Sequence, residues 1–204
     1  MKKKPPYKNG PWTIENKQVV FENPWLEVSD HVVRQPDGSP GEYGVVHFKN
    51  RAIGILPLDE NGHVPLVGQH RFPLDAYSWE LPEGGGPIDE NPLAAAKREL
   101  AEETGFIAKT WVELCGFDVS NSVTDEVAVC FIAADLTAGE IRPESSEELA
   151  HKALAFTALH DLVLKGEIRD SLTIAMVLMA QAKALQGSLP KPICDLILNN
   201  GREN

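Results

Sequence analysis

Along the first ~50 residues apolar and polar positions alternate with the period of two that marks a half-buried strand. Gln18–Phe21 and Trp25–Arg34 read as strands, the second carrying the β-branched Val28, Val32 and Val33; Pro36-Asp37-Gly38 is turn chemistry, and the strand pattern resumes over Glu42–Lys49. Residues 1–16 read as a flexible or extended arm. Ala52–Leu58 and His63–Val67 flank Asn61-Gly62, which predicts a hairpin, and Tyr77–Leu81 is a short strand running into Pro82-Glu83-Gly84-Gly85-Gly86. There the period changes. Leu93, Ala96 and Leu100 recur at i, i+3 and i+7, with Asn91 as cap, Pro92 in the first turn and Gly105 as the stop, so a helix is expected over Leu93–Thr104. Strands follow at Trp111–Phe117 and Val127–Ala133. Thr157 is placed to cap a short helix ending near Gly166, and Asp170 or Ser171 a longer one to about Gln186. From Gly187 the chain reads as irregular, although Ile193–Leu198 is apolar enough to pack. The order predicts an α/β domain, a mixed sheet between helical layers, behind an N-terminal β-rich subdomain.

Composition narrows the classes. With 204 residues, 43% hydrophobic and 24% charged, the chain has the material for one domain and a small extra one. A net charge of −11, from 30 acidic and 19 basic residues, argues against nucleic acid as a partner, since that binding rests on Lys and Arg neutralising phosphates. No apolar run approaches the ~20 residues a membrane helix needs, and the basic Met1–Lys4 is followed by Pro5, Pro6, Lys8 and Asn9 rather than a signal core. Cys115, Cys130 and Cys194 contain no C-x-x-C pair, which fits reduced thiols in a cytoplasmic protein.

The candidate chemistry lies between Gly84 and Phe106. At 100° per residue, Glu102 and Glu103 fall about 60° and 40° either side of Glu99, so three carboxylates share one helix face. Like charges packed this way repel, and a hard divalent cation such as Mg²⁺, or Mn²⁺ in its place, removes the repulsion. Arg98 is placed to pair with Glu102 or a neighbouring acid. A bare E-x-x-E-E is most often a solvated acidic face. Here, however, Gly84, Glu90, Arg98, Glu99, Leu100, Glu102, Glu103, Gly105 and Phe106 fill every position of G-x5-E-x7-R-E-U-x-E-E-x-G-U, with U apolar. The chance of that in a chain of this length is below roughly one in a million.

This segment resembles the Nudix box. The resemblance implies a loop-helix-loop holding divalent metal on Glu99 and Glu103, with Glu102 a further or water-mediated ligand and the Glu83 carbonyl a backbone one. Glu90 and Arg98 would orient the others, and the reaction would be attack of an activated water on one phosphorus of a nucleoside diphosphate derivative. Gly84-Gly85-Gly86 reads as a bend presenting backbone oxygen to the metal.

Beyond the box, Arg51–Phe72, Trp79-Glu80-Leu81-Pro82 and the N-terminal β segment look like the branch that hydrolyses ADP-ribose and nucleoside diphosphate sugars. That resemblance implies a homodimer in which residues 1–50 mediate dimerisation, with or without exchange of strands, residues 51–190 form the hydrolase domain and 191–204 a tail. It makes Trp25, Phe21 and Tyr43 candidates for stacking on the base, against core packing, which is the commoner role of single aromatics. It makes Arg71, in Gln69-His70-Arg71, a candidate for substrate phosphate, against a surface ion pair, and puts Arg51 among the substrate-side residues. The general base is expected on the acidic loop Pro143-Glu144-Ser145-Ser146-Glu147-Glu148, Glu147 first and then Glu144. Two positions leave base and sugar open. Ser120–Thr124 lacks a proline common in ADP-ribose hydrolases, and Asp170-Ser171-Leu172 carries leucine where the sugar-nucleotide enzymes have D-x-K. Hydrolysis of NADH or a dinucleoside polyphosphate, a ligand-sensing module without hydrolysis, and an isopentenyl-diphosphate isomerase-like proton transfer are the alternatives. All box glutamates are present, and Cys115 and Cys130 lie in apolar strand patterns, which weighs against the last two.

Overall fold

The computed structural model describes residues 4–139 and 148–199. It divides into two compact units, one made of residues up to 51 with 118–127, the other of 52–117 with 128 onward.

In the first unit four strands form a sheet in chain order: β1 (Tyr7–Asn9), β2 (Trp12–Glu22), β3 (Leu26–Arg34) and β4 (Pro40–Phe48). Neighbours are antiparallel, with Ile14 opposite Val33 and Val28 opposite Val46. The expected arm is therefore mostly ladder: β1 and the first half of β2 pair, and Ile14 is buried. Polar Thr13, Glu15 and Asn16 obscured the alternation there, and pairing rather than burial orders that stretch. On β3 every second residue, Glu27, Ser29, His31 and Val33, is buried, the pattern of a strand with one covered face.

The second unit holds two further sheets. One runs β8 (Glu83–Pro87), β5 (Asn50–Pro57), β10 (Val127–Ala138), β9 (Phe106–Asp118), with β5 and β10 parallel; the other runs β11 (Ala150–Ala155), β6 (His63–Arg71), β7 (Ala76–Glu80), all antiparallel. Strand directions are mixed, as expected. The Asn61-Gly62 hairpin is not formed. The turn exists, with Asp59 N–H bonded to the His63 carbonyl and Gly62 N–H to that of Asp59, both at 3.0 Å. Its flanking strands, however, pair with different neighbours, because β5 is buried among β10 and β8 while β6 faces β7 and β11. Gly84–Gly86, expected as a bend, is edge strand β8.

Helix α1 (Pro92–Thr104) lies in the second unit and closes as its sequence dictates. The Asn91 carboxamide oxygen accepts from Leu93 and Ala94 N–H at 3.0 and 3.2 Å, and Gly105 ends the helix at φ 70°, a left-handed conformation that costs glycine little. Ala95, Ala96 and Leu100 seat it against Ile53, Ile55, Phe131 and Ala133. The helices α2 (Phe156–Leu164), α3 (Ser171–Leu185) and α4 (Lys191–Asn199) complete this unit. Asp170 caps α3, accepting from Thr173 N–H at 2.6 Å. Thr157 lies inside α2, whose cap position is Ala155 without a side-chain bond. The stretch expected to be irregular forms α4, which buries Ile193, Cys194 and Ile197. Pro190 and Pro192 made it read as loop, but proline at the start of a helix breaks no bond.

Candidate functional site

The box carboxylates gather where β8 meets α1. Glu99 and Glu103 are buried, 9% and 2% exposed, and their positions are fixed from the β8 side. Glu83 N–H donates to the Glu103 carboxylate at 3.0 Å. Gly84 leaves room for Glu99: a Cβ there would sit 2.2 Å from the Glu99 carboxyl carbon. On the far side of the helix end, His151 Nε2–H on β11 donates to the Glu103 carbonyl at 2.6 Å.

Arg98 ties the array together. Its Nη1 bonds Glu99 at 2.7 Å and Glu102 at 3.0 Å, while Nη2 bonds the Gly85 carbonyl at 3.0 Å and Glu90 at 3.4 Å. Burial works against the Arg98 charge, yet the surrounding carboxylates, Glu99 foremost, push its pKa further up. One guanidinium thus links helix, edge strand and box loop.

A second acidic group adjoins the first. Glu80, 2% exposed at the end of β7, receives two bonds from Arg71 Nε at 3.0 Å and a third, very short one from Nη2, which also bonds Glu83 at 2.5 Å. Glu80, Glu83 and Asp170 each offer an oxygen within 4.8 Å of the others. Burial, then Asp170 and Glu80, push the Glu83 pKa well above the usual carboxylate range, against the pull of Arg71. The Glu83 Oε2 atom is buried without a hydrogen-bond partner. Arg71 is therefore in a largely buried ion pair and not a surface one. Sequence reasoning passed over Glu80 and Asp170 as site residues. Glu80 lies in the Trp79–Pro82 segment and Asp170 in a helix cap at the position compared with D-x-K, and nothing in their local spacing brings β7 to the start of α3. That contact is made by Leu81 N–H donating to Thr173 Oγ1 at 2.9 Å.

The remaining candidates belong to other elements. Phe21 and Trp25 belong to the first unit and are 54% and 64% exposed, so they are not core residues in this chain. Tyr43 is also exposed, donates its hydroxyl to the Ser122 carbonyl at 2.5 Å and meets Trp12 edge to face. Arg51 is half-buried on β5. Glu144 and Glu147 lie outside the described residues; Glu148 is exposed.

A family model described as "NUDIX domain" matches residues 48–175, well over half of the chain. The protein belongs to the Nudix hydrolase family. A second model, "Nucleoside diphosphate sugar hydrolase N-terminal domain", matches residues 12–46 of this Nudix enzyme. The chain is 35% identical over 167 residues to an ADP-ribose pyrophosphatase of Mycobacterium tuberculosis, covering 79% of each chain. It is 30% identical over 174 residues to an ADP-ribose pyrophosphatase of Bacillus subtilis, covering 83% of this chain and 93% of that one. A solved structure titled "Crystal structure of ADP compounds hydrolase" shares the Nudix fold, with a TM-score of 0.78 at 20% identity over 89% of this chain and 98% of that chain.

Proposed function

We propose that this Nudix enzyme hydrolyses the pyrophosphate bond of ADP-ribose or a nucleoside diphosphate sugar, releasing a nucleoside monophosphate and a sugar phosphate. The observation that carries the reading is the junction of β8 and α1, where Glu99 and Glu103 are buried side by side and held by Gly84 and the Glu83 N–H. The substrate class is supported by the N-terminal model over residues 12–46 and by the names of the relatives, among them an ADP-sugar pyrophosphatase of Mus musculus 30% identical over 149 residues.

The donor set fits a divalent cation: all the groups are oxygens, the carboxylates crowd one another, and Glu83 Oε2 is buried unpaired beside them. Glu99 and Glu103 would hold Mg²⁺, or Mn²⁺ in its place, with Glu102 and the Glu83 carbonyl as further ligands. When bound, the cation neutralises phosphate charge and makes a nucleophile available at neutral pH. Arg98, braced by Glu90, keeps Glu99 and Glu102 in register. Arg71, a third of its side chain exposed, serves a substrate phosphate while Glu80 and Glu83 hold its Nε and Nη2. Glu147, or else Glu144, serves as general base. Trp25 and Phe21 offer exposed aromatic faces for the base, and Arg51 is a further substrate contact.

The working form is a cytoplasmic homodimer. Val19, Val20, Phe21 and Trp25 on the first unit are exposed apolar side chains of the kind an interface covers, which supports residues 1–50 as the dimerisation segment ahead of a hydrolase domain over 51–190. Among the described residues no helix is long and apolar enough to cross a membrane. A panel of ADP-ribose, GDP- and UDP-sugars, NADH and diadenosine polyphosphates, assayed with Mg²⁺ and again in excess EDTA, tests the reading. ADP-ribose or a sugar nucleotide should turn over fastest, and only with metal. A preference for a dinucleoside polyphosphate, or turnover undiminished by chelator, would overturn it.

A further inference from the structure

Away from the carboxylates, the second unit brings two of its three cysteines together. Cys115 lies on β9 and Cys130 on β10, neighbouring strands of one sheet. A Cβ on Gly116, next to Cys115, would stand 3.2 Å from the Ala128 carbonyl, two residues from Cys130, so the strands are in close register here. Val119 N–H bonds the Glu126 carbonyl at 3.0 Å and the Thr110 hydroxyl bonds the Asp135 carboxylate farther along, and counting along the two strands from either contact sets Cys115 across from Cys130. Cys130 is fully buried, its sulfur facing Gly54, whereas Cys115 is partly buried. Lys183 of α3 donates its ammonium to the carbonyl of Leu114, next to Cys115, and sets a positive charge beside that thiol.

We propose that Cys115 and Cys130 are a peroxide-responsive thiol pair that closes to an intramolecular disulfide across β9 and β10. The neighbouring Cys130 thiol and the Lys183 charge, against the cost of burial, pull the Cys115 pKa below the usual thiol range, which raises its share of the nucleophilic thiolate. Cys130, beside the Cys115 sulfur and in the interior, is held above the usual thiol range as long as Cys115 is a thiolate. The more accessible sulfur is thus the attacking one and the buried sulfur the resolving one.

The step balances. The Cys115 thiolate attacks the terminal oxygen of a hydroperoxide, the O–O bond breaks, and the departing alkoxide or hydroxide takes up a proton from water. Cys115 becomes a sulfenic acid, oxidised by two electrons. With the Cys115 charge gone, Cys130 gives up its proton as its sulfur attacks, the S–O bond breaks, and the departing hydroxide takes that proton and leaves as water. Cβ atoms of residues opposite one another on adjacent strands are about 4.5–5.5 Å apart and a disulfide needs about 3.5–4.5 Å, so a local shift of about 1 Å closes the bond. Cys194, buried and donating its thiol to the Leu189 carbonyl at 3.3 Å, serves as the internal control.

The test uses the full reduced chain in EDTA, treated with hydrogen peroxide near neutral pH, then alkylated, digested and mapped by mass without reductant. The expected result is loss of two of the three thiols, a linked peptide joining Cys115 to Cys130, and full recovery with dithiothreitol. The same loss of two is expected of Cys194→Ser. Cys115 oxidised to sulfinic acid without a linked peptide, a disulfide joining two chains, or three thiols surviving would each overturn the proposal. The wild-type readout does not depend on a variant folding.

Discussion

Glu99 and Glu103 face each other's charge inside a nearly closed junction, and the surrounding contacts treat them differently. Glu103 is tied to the backbone of β8, Glu99 to Arg98 and to the space over Gly84. Replacing either by Gln removes an anionic oxygen but keeps the shape. Steady-state kinetics at saturating Mg²⁺ should show kcat lower by more than about 100-fold, with the circular dichroism unchanged. Near-normal turnover with full metal content would remove them from the ligand set. Gly84→Ala makes a sharper test, because it touches no charge. A Cβ 2.2 Å from the Glu99 carboxyl carbon forces that side chain aside while the helix stays packed. Displacement by about 1 Å costs on the order of 100-fold, so kcat should fall by about that factor with little loss of stability. An alanine variant as active as the parent would mean that the Glu99 position is not critical.

At the level of elements, α1 is the one the sequence dictates most directly. Cap, proline, apolar stripe and stop glycine agree, and its bounds are those expected to within one residue. Asn91→Ala should therefore cost about 1 kcal/mol, a fall in melting temperature of about 2–4 °C, measured by calorimetry. No shift at all would mean that the cap is replaced by water. The elements that sequence did not reveal failed for identifiable reasons. The β5–β6 turn carries good turn residues, but turn chemistry sets local geometry and not which strand each flank will pair with; burial of β5 beside β10 decides that. α4 is short and proline-flanked, and its apolar face has meaning only against α3 and α2. In the site, the box was legible because its residues are contiguous on one helix. Glu80, Asp170 and His151 were not, since each is brought in by a separate element and its spacing in the chain carries no trace of that.

For the whole molecule, dimerisation and reaction are the two claims open to measurement. Val20 is 58% exposed at an irregularity of the β2–β3 ladder, so Val20→Asp should cost the monomer little yet place a charge in any interface built on this sheet. Sedimentation at micromolar concentration should show a dimer for the parent and a monomer for the variant. A variant that remains dimeric would move the interface to another surface. The account as a whole turns on which bond is broken. A carboxylate cluster that would hold a cation acts on phosphate charge, which directs the reaction to the pyrophosphate bond. With ADP-ribose in ¹⁸O-water and Mg²⁺, mass spectrometry should find AMP and ribose 5-phosphate, the label confined to the phosphate of one of them. Label on the anomeric carbon of the sugar, or release of ADP, would contradict it.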